Sequence, residues 1–158
     1  MIKPMLAASA AAFLLDQASK YYILWALELE QVGRIDVFPP FLRFTMAWNR
    51  GVNFGLFSSD EDVMRWVLVV LSIAISCALA IWALKRNTKI FAVGAGLVIG
   101  GAIGNALDRV VFGAVVDFLN MSCCGFYNPY AFNIADVAIF AGAAVLIIYG
   151  DKKGPAKG

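Results

Sequence analysis

Two aspartates stand in apolar company. Asp117 lies in "GAVVDFL", and Asp136 is the only charged residue of "AFNIADVAIFAGAAVLIIYG". A carboxylate in such surroundings is costly unless something offsets it. The chain contains no histidine, which excludes a histidine metal site, a Ser-His-Asp triad and a Cys-His pair. Two carboxylates close together in a low-dielectric site share a proton. One then acts as base on a water while the other, protonated, polarises a carbonyl, as in an aspartic protease. Titration would belong to the pair rather than to either residue.

Each aspartate also has a plain structural explanation. Asp117 can simply answer Arg109. Asn133 can be an N-cap with Asp136 at N3, a variant of the capping box, and the helix dipole favours a carboxylate there.

Further charges fall in apolar segments. Asp16 and Lys20 are four apart, a spacing that pairs them on one helical face. A structural ion pair between helices is the alternative to a functional one. Asn105, Asp108 and Arg109 close the stretch "GGAIGNALDRVVFG", three or four apart and so on one face. Gly100, Gly101 and Gly104 there allow close helix approach. A capped helix end with Arg109 snorkelling toward headgroups is the alternative.

The elements that must position these residues are apolar. Of 158 residues, 61% are hydrophobic and 15% charged, and the mean hydropathy is +0.77. This composition belongs to the membrane class. Four segments, 4–27, 63–84, 90–107 and 133–149, approach the length that crosses a bilayer, and the last two are a little short. The predicted fold is an all-α membrane protein, a bundle of four transmembrane helices forming one domain. The first segment starts like a signal peptide behind Lys3, but its length and its Asp16 and Lys20 mark it as retained. Lys3, then Lys85, Arg86 and Lys89, then Lys152, Lys153 and Lys157 fall on one side of such a bundle. The positive-inside rule makes that side cytoplasmic, with both termini there. Asp136 then sits near the outer surface.

Residues 28–62 form an outer loop carrying Glu28, Glu30, Asp36, Asp60, Glu61 and Asp62 against Arg34, Arg43 and Arg50. Its "RIDVFPPFLRFTMAWNRGVNFGLF" reads as short strands or a hairpin against the membrane, with Trp48, Phe54 and Phe57 at the interface. Residues 108–132 form a second outer loop, in which Asp117 occupies a shallow loop or short extended segment. The tail 151–158 is expected to be disordered. Cys77 reads as a packing residue, and the adjacent Cys123 and Cys124 are a poor start for a zinc site or an unstrained disulfide. The net charge of +2 points to no nucleic acid.

At this point the chain resembles a known family, lipoprotein signal peptidase (signal peptidase II), the bacterial inner-membrane aspartic proteases. The resemblance rests on "DQASK", "NRGVNFG", "GNALDRVVFGAVVDF" and "FNIAD", and covers nearly the whole chain. It implies that Asp117 and Asp136 are the catalytic pair. It implies that Asn49, Gly51, Asn105, Arg109 and Asn133 line the site and contact substrate or the peptide antibiotic globomycin. Asp16, Lys20 and Asp108 would support the helices and the outer loop. Asn53 stands where the family often has a small residue. The implied reaction removes the signal peptide from prolipoproteins, N-terminal to a cysteine carrying diacylglycerol, with no metal or other cofactor. The implied partners are that substrate and membrane lipid, and a monomer is expected. The outer loop would make a β-cradle, with residues 119–131 as a short mobile lid.

A proton-coupled carrier or an assembly factor is the rival class, because intramembrane Asp, Lys and Arg also mark transport pathways. A carrier needs polar residues across the whole bilayer. Beyond Arg65 near its start, the second segment has only Ser72 and Ser76, and the inner halves of the third and fourth are apolar. A purely structural bundle would leave the gathering of polar groups unexplained.

Overall fold

The computed structural model describes residues 1–51, 61–86, 88–123, 125 and 127–150. Asn53, Phe54, Phe57, Asp60, Cys124, the tail 151–158 and the side chain of Glu61 lie outside the described residues. The chain runs α1 (Ile2–Tyr21), continued by a π-helical turn Tyr22–Ala26, then α2 (Leu29–Val32), β1 (Arg34–Phe38) and β2 (Leu42–Asn49). α3 (Glu61–Arg86), α4 (Lys89–Phe112), β3 (Val115–Met121) and α5 (Ile134–Tyr149) complete it. The protein is therefore mostly helical with one small sheet. The segments Asp62–Arg86 and Lys89–Phe112 are long and apolar enough to cross a membrane, and α5 is apolar but shorter.

α4 is the central helix and packs against α1, α3 and α5. Its glycines make this possible. A Cβ on Gly96 or Gly100 would strike the backbone carbonyl of Met5 or Ser9 in α1, and one on Gly104 would lie 2.7 Å from Asp16 Oδ2. Gly94 and Gly101 face α5 in the same way, against Val145 and Ala135. Spacings of four and seven thus give α4 two smooth faces on which backbones approach closely. At one end of the bundle the core is apolar, built from Met5, Ala83, Phe91, Ala92, Ala95, Val98 and Leu146.

The sheet closes the other end. It is antiparallel, in the order β1-β2-β3, so the expected hairpin of the 28–62 segment is present and gains a third strand. That strand comes from residues expected to form the second outer loop. α4 runs past Leu107 to Phe112, so Asp108 and Arg109 are helical, and Gly113 ends it with φ +81°. "VVDF" then extends because Val and Phe suit a pleated surface buried on both sides. Residues 119–121, expected in a lid, belong to this strand. Val116 and Phe118 pack with Ile23 of the π-helical turn and with Leu29, while Asp117 points to the opposite face.

One further expectation is corrected: Cys77 is exposed on α3 rather than packed. Cys123 is disulfide-bonded. Trp48 packs against Phe112 with ring centroids 5.8 Å apart, and its indole N–H donates to Glu30 across 3.2 Å.

Candidate active site

Three backbone devices bring the two aspartates together. β2 and β3 pair with Asn49 opposite Val115, so Asp117, two residues on, shares a face with Asn49 as its diagonal neighbour. A bulge between Phe44 and Ala47 sets that phase. On its other edge β3 is bridged by Phe132, whose N–H donates to Leu119 O and whose carbonyl accepts from Leu119 N. Asn133, the next residue, is thereby delivered beside Asp117 and starts α5.

Asn133 is the hinge of the site. It is fully buried. Its Oδ1 accepts from Asp136 N at 2.9 Å, and its own N–H donates to Asp136 Oδ2 at 3.3 Å, so the expected capping box is present. Its Nδ2 donates to Asp117 Oδ1 at 2.6 Å. Asn49 donates to Asp117 Oδ2 at 3.0 Å, and Asn105 donates to Asp136 Oδ1 at 3.0 Å. Both oxygens of both carboxylates are thus directed by asparagine groups, each with a lone pair to spare. Gly51 fixes Asn49: its N–H donates to Asn49 Oδ1 at 3.0 Å. Gly51 has φ +97°, and a Cβ there would lie 2.7 Å from Leu68.

Asp117 is 3% exposed. Burial pushes its carboxyl up to about 6, with the neighbouring Asp136 charge adding to the rise and the bonds from Asn49 and Asn133 opposing it. A carboxyl so placed holds a proton at mildly acidic pH, as one member of a proton-sharing pair must.

Asp16, Lys20 and Asp108 form a buried ion triad behind the pair. Lys20 Nζ is 2.7 Å from Asp16 Oδ2 and 2.7 Å from Asp108 Oδ2, and donates to Asn105 Oδ1 at 3.0 Å. The i,i+4 pairing of Asp16 with Lys20 is therefore real, and Asp108 shares the lysine. Arg109 makes no direct ion pair with either aspartate, although both charges act on its guanidinium. Its Nη1 donates to the Asn105 carbonyl at 3.2 Å, its buried Nε has no partner, and no ion pair joins it to Asp117. Asp117 therefore answers Arg109 through its charge at a distance rather than through a contact.

Gln17 was not singled out from the sequence, although it stands inside "DQASK". Its Nε2 donates to Asp16 Oδ2 at 3.1 Å and to Asp108 Oδ1 at 3.0 Å. A lone amide beside an aspartate in an apolar helix was the available signal. Asn120 was also missed; its Nδ2 holds the carbonyls of Asn128 and Tyr130 and so shapes the chain leading into Asn133. Among the described residues every buried charge belongs to this end of the molecule: Asp16, Lys20, Asp108 and Asp117 in the cluster, Arg43 in the sheet. Among the described residues no buried charge continues into the apolar core at the other end, which disfavours a carrier. No group of carboxylates and cysteines among the described residues could hold a metal ion.

Apolar helices of membrane-crossing length and a small sheet at one end, beside an asparagine-held carboxylate pair, define a helical membrane-type protein. The comparisons agree and are more specific. The family model described as signal peptidase (SPase) II matches residues 8–150. The lipoprotein signal peptidase of Rhodopseudomonas palustris is 43% identical over 143 residues, covering 89% of this chain and 87% of that protein. That of Caulobacter vibrioides is 44% identical over 143 residues, covering 90% and 83%. A solved structure of a bacterial membrane enzyme superposes with a TM-score of 0.80 at 29% identity, covering 98% of this chain and 96% of its own. The chain belongs to the signal peptidase II family, a family of proteases.

Proposed function

We propose that this chain is an aspartic endopeptidase that removes the signal peptide from diacylglyceryl-modified prolipoproteins, cutting N-terminal to the lipidated cysteine. The observation that carries the reading is Asn133, which ties Asp117 to the capped Asp136 and so holds two carboxylates in one proton-sharing site. Asp117 and Asp136 are the catalytic pair. The ionised carboxylate takes a proton from water as the water oxygen bonds to the scissile carbonyl carbon. The protonated partner gives its proton to the carbonyl oxygen. The tetrahedral intermediate collapses as one of its hydroxyls returns a proton to the ionised carboxylate, the C–N bond breaks, and the cysteine amine leaves with the proton that the other carboxyl took from water. No metal or other cofactor enters this scheme.

Asn49, Gly51, Asn105, Arg109 and Asn133 line the substrate site, which would also take globomycin. The unpartnered Nε of Arg109 is a donor for a substrate carbonyl or a headgroup oxygen. Asp16, Lys20 and Asp108 support the site from behind. α1, α3, α4 and α5 are the four membrane spans of a monomer in the bacterial inner membrane. Both termini are cytoplasmic, and the sheet and the aspartates lie at the outer face, where a lipid-anchored substrate is met.

The test is cleavage by purified protein in detergent of a prolipoprotein with and without diacylglycerol on its cysteine. The modified precursor is expected to be cut before the cysteine and the unmodified one to remain. Failure to cut the modified precursor, or equal cutting of both, would overturn the reading.

A further inference from the structure

The two backbone positions that precede the aspartates are gripped in the same way. Asp16 Oδ1 accepts from Ala135 N at 2.9 Å, next to Asp136. Asp108 Oδ2 accepts from Val116 N at 3.1 Å, next to Asp117. Lys20 Nζ lies 2.7 Å from each of these carboxylates, and Gln17 Nε2 also links them, donating to Asp16 Oδ2 and Asp108 Oδ1. Asp16, Lys20 and Asp108 are each no more than 2% exposed. The grips reach 119 and 8 residues along the chain, from α1 to α5 and from α4 to β3.

A buried ion cluster is a poor source of stability, because desolvation cancels much of the attraction. It is a good source of geometry. The bonds are short, directional and charge-assisted, and one ammonium fixes both acceptors. Through the two N–H groups, the separation of Asp16 from Asp108 is passed to the separation of Asp136 from Asp117. Resting on the proposed catalytic pair, we infer that Asp16 and Asp108, locked to each other by Lys20, are positioning residues that set the spacing of Asp136 and Asp117 by holding the preceding backbone amides.

Replacing a single aspartate leaves Lys20 paired with the other, so these variants disturb folding less than removal of the lysine, which would strand two carboxylates. An Asn at either position keeps an oxygen for the backbone N–H; a Leu keeps approximate size but no acceptor. The experiment measures kcat and KM with diacylglyceryl prolipoprotein for Asp16→Asn, Asp16→Leu, Asp108→Asn and Asp108→Leu, with thermal unfolding alongside. A misplacement near 1 Å costs about 10²-fold. The Leu variants are therefore expected to lose about 10²-fold in kcat with KM little changed. The Asn variants should stay within about tenfold of wild type, since the N–H acceptor is kept. Equal kcat in Asn and Leu variants, or a loss confined to KM, would overturn the inference and leave a packing role. If the Leu variants do not fold, the Asn variants decide: a folded Asn variant losing about 10²-fold in kcat contradicts positioning through the N–H bond. Asp117→Asn and Asp136→Asn serve as controls, because their activity would refute the catalytic pair itself whatever the other variants do.

Discussion

The side-chain amide of Asn133 donates to Oδ1 of Asp117 across 2.6 Å, while the same asparagine caps the helix that carries Asp136. One residue therefore serves stability and site geometry together. Asn133→Ala removes both, and loss of an N-cap costs about 1 kcal/mol. For a chain of this size that is a fall of about 2–4 °C in Tm. Activity is expected to fall much further than that small destabilisation explains, which calorimetry and a cleavage assay on the same sample will check. Asn133→Ser, which keeps a cap but cannot reach Asp117, should recover most of the Tm and little of the activity.

The raised carboxyl of Asp117 gives a pH signature. Its folded value of about 6 lies above the ordinary carboxylate value near 4. The protonated form therefore favours the folded state. That contribution is complete below about pH 4 and is lost as pH rises through about 6. Thermal unfolding in detergent across this window should show Tm declining with pH in the wild type by a component absent from Asp117→Asn. Infrared titration should likewise show a protonated carboxyl band disappearing near pH 6. An identical pH slope in wild type and Asp117→Asn would contradict the shift.

Gly104 is where helix packing meets the site, since a Cβ there would lie 2.7 Å from Asp16 Oδ2. Gly104→Ala must push Asp16 away from Lys20 or from Ala135, or separate α1 from α4. Overpacking of this kind costs about 1–3 kcal/mol. A lower Tm and lower kcat are expected together, and an unchanged Tm would show that α1 can yield freely.

Among the described residues Arg109 donates only to its own helix backbone, and its buried Nε has no partner. Arg109→Gln should leave Tm nearly unchanged. If the guanidinium meets the substrate, loss of a preorganised donor costs about 10²-fold or more in kcat/KM. Activity close to wild type would remove Arg109 from the substrate site.

Local relationships were legible in the sequence and distant ones were not. The capping box of Asn133 and Asp136 and the pair of Asp16 and Lys20 span three and four residues, and helical periodicity alone brings each together. The glycine faces of α4 follow from the same periodicity. Nothing local says that Asp16 reaches Ala135 or that Asp108 reaches Val116, because those bonds depend on which helices become neighbours. For "VVDFL" a loop and a short extended segment both stay open in the sequence, because the stretch is too short to show an alternating pattern and its partner strand lies far up the chain; the structure makes it extended. α4 continues past the expected membrane segment: charged Asp108 and Arg109 resemble a boundary, yet Lys20 neutralises Asp108 inside the bundle. The placement of Asp117 beside Asn133 needed the Leu119–Phe132 bridge, which no spacing rule supplies.

The most direct measurement is cleavage of a diacylglyceryl-modified prolipoprotein by Asp117→Asn and Asp136→Asn, each purified and shown to unfold at a temperature near that of the wild type. An amide can neither take a proton from water nor share one with its partner, so both single variants are expected to lose cleavage entirely within the assay's range. Cleavage at the wild-type rate by either variant would contradict the account. Asp136 would then be a helix cap and Asp117 a buried carboxyl with no part in the reaction.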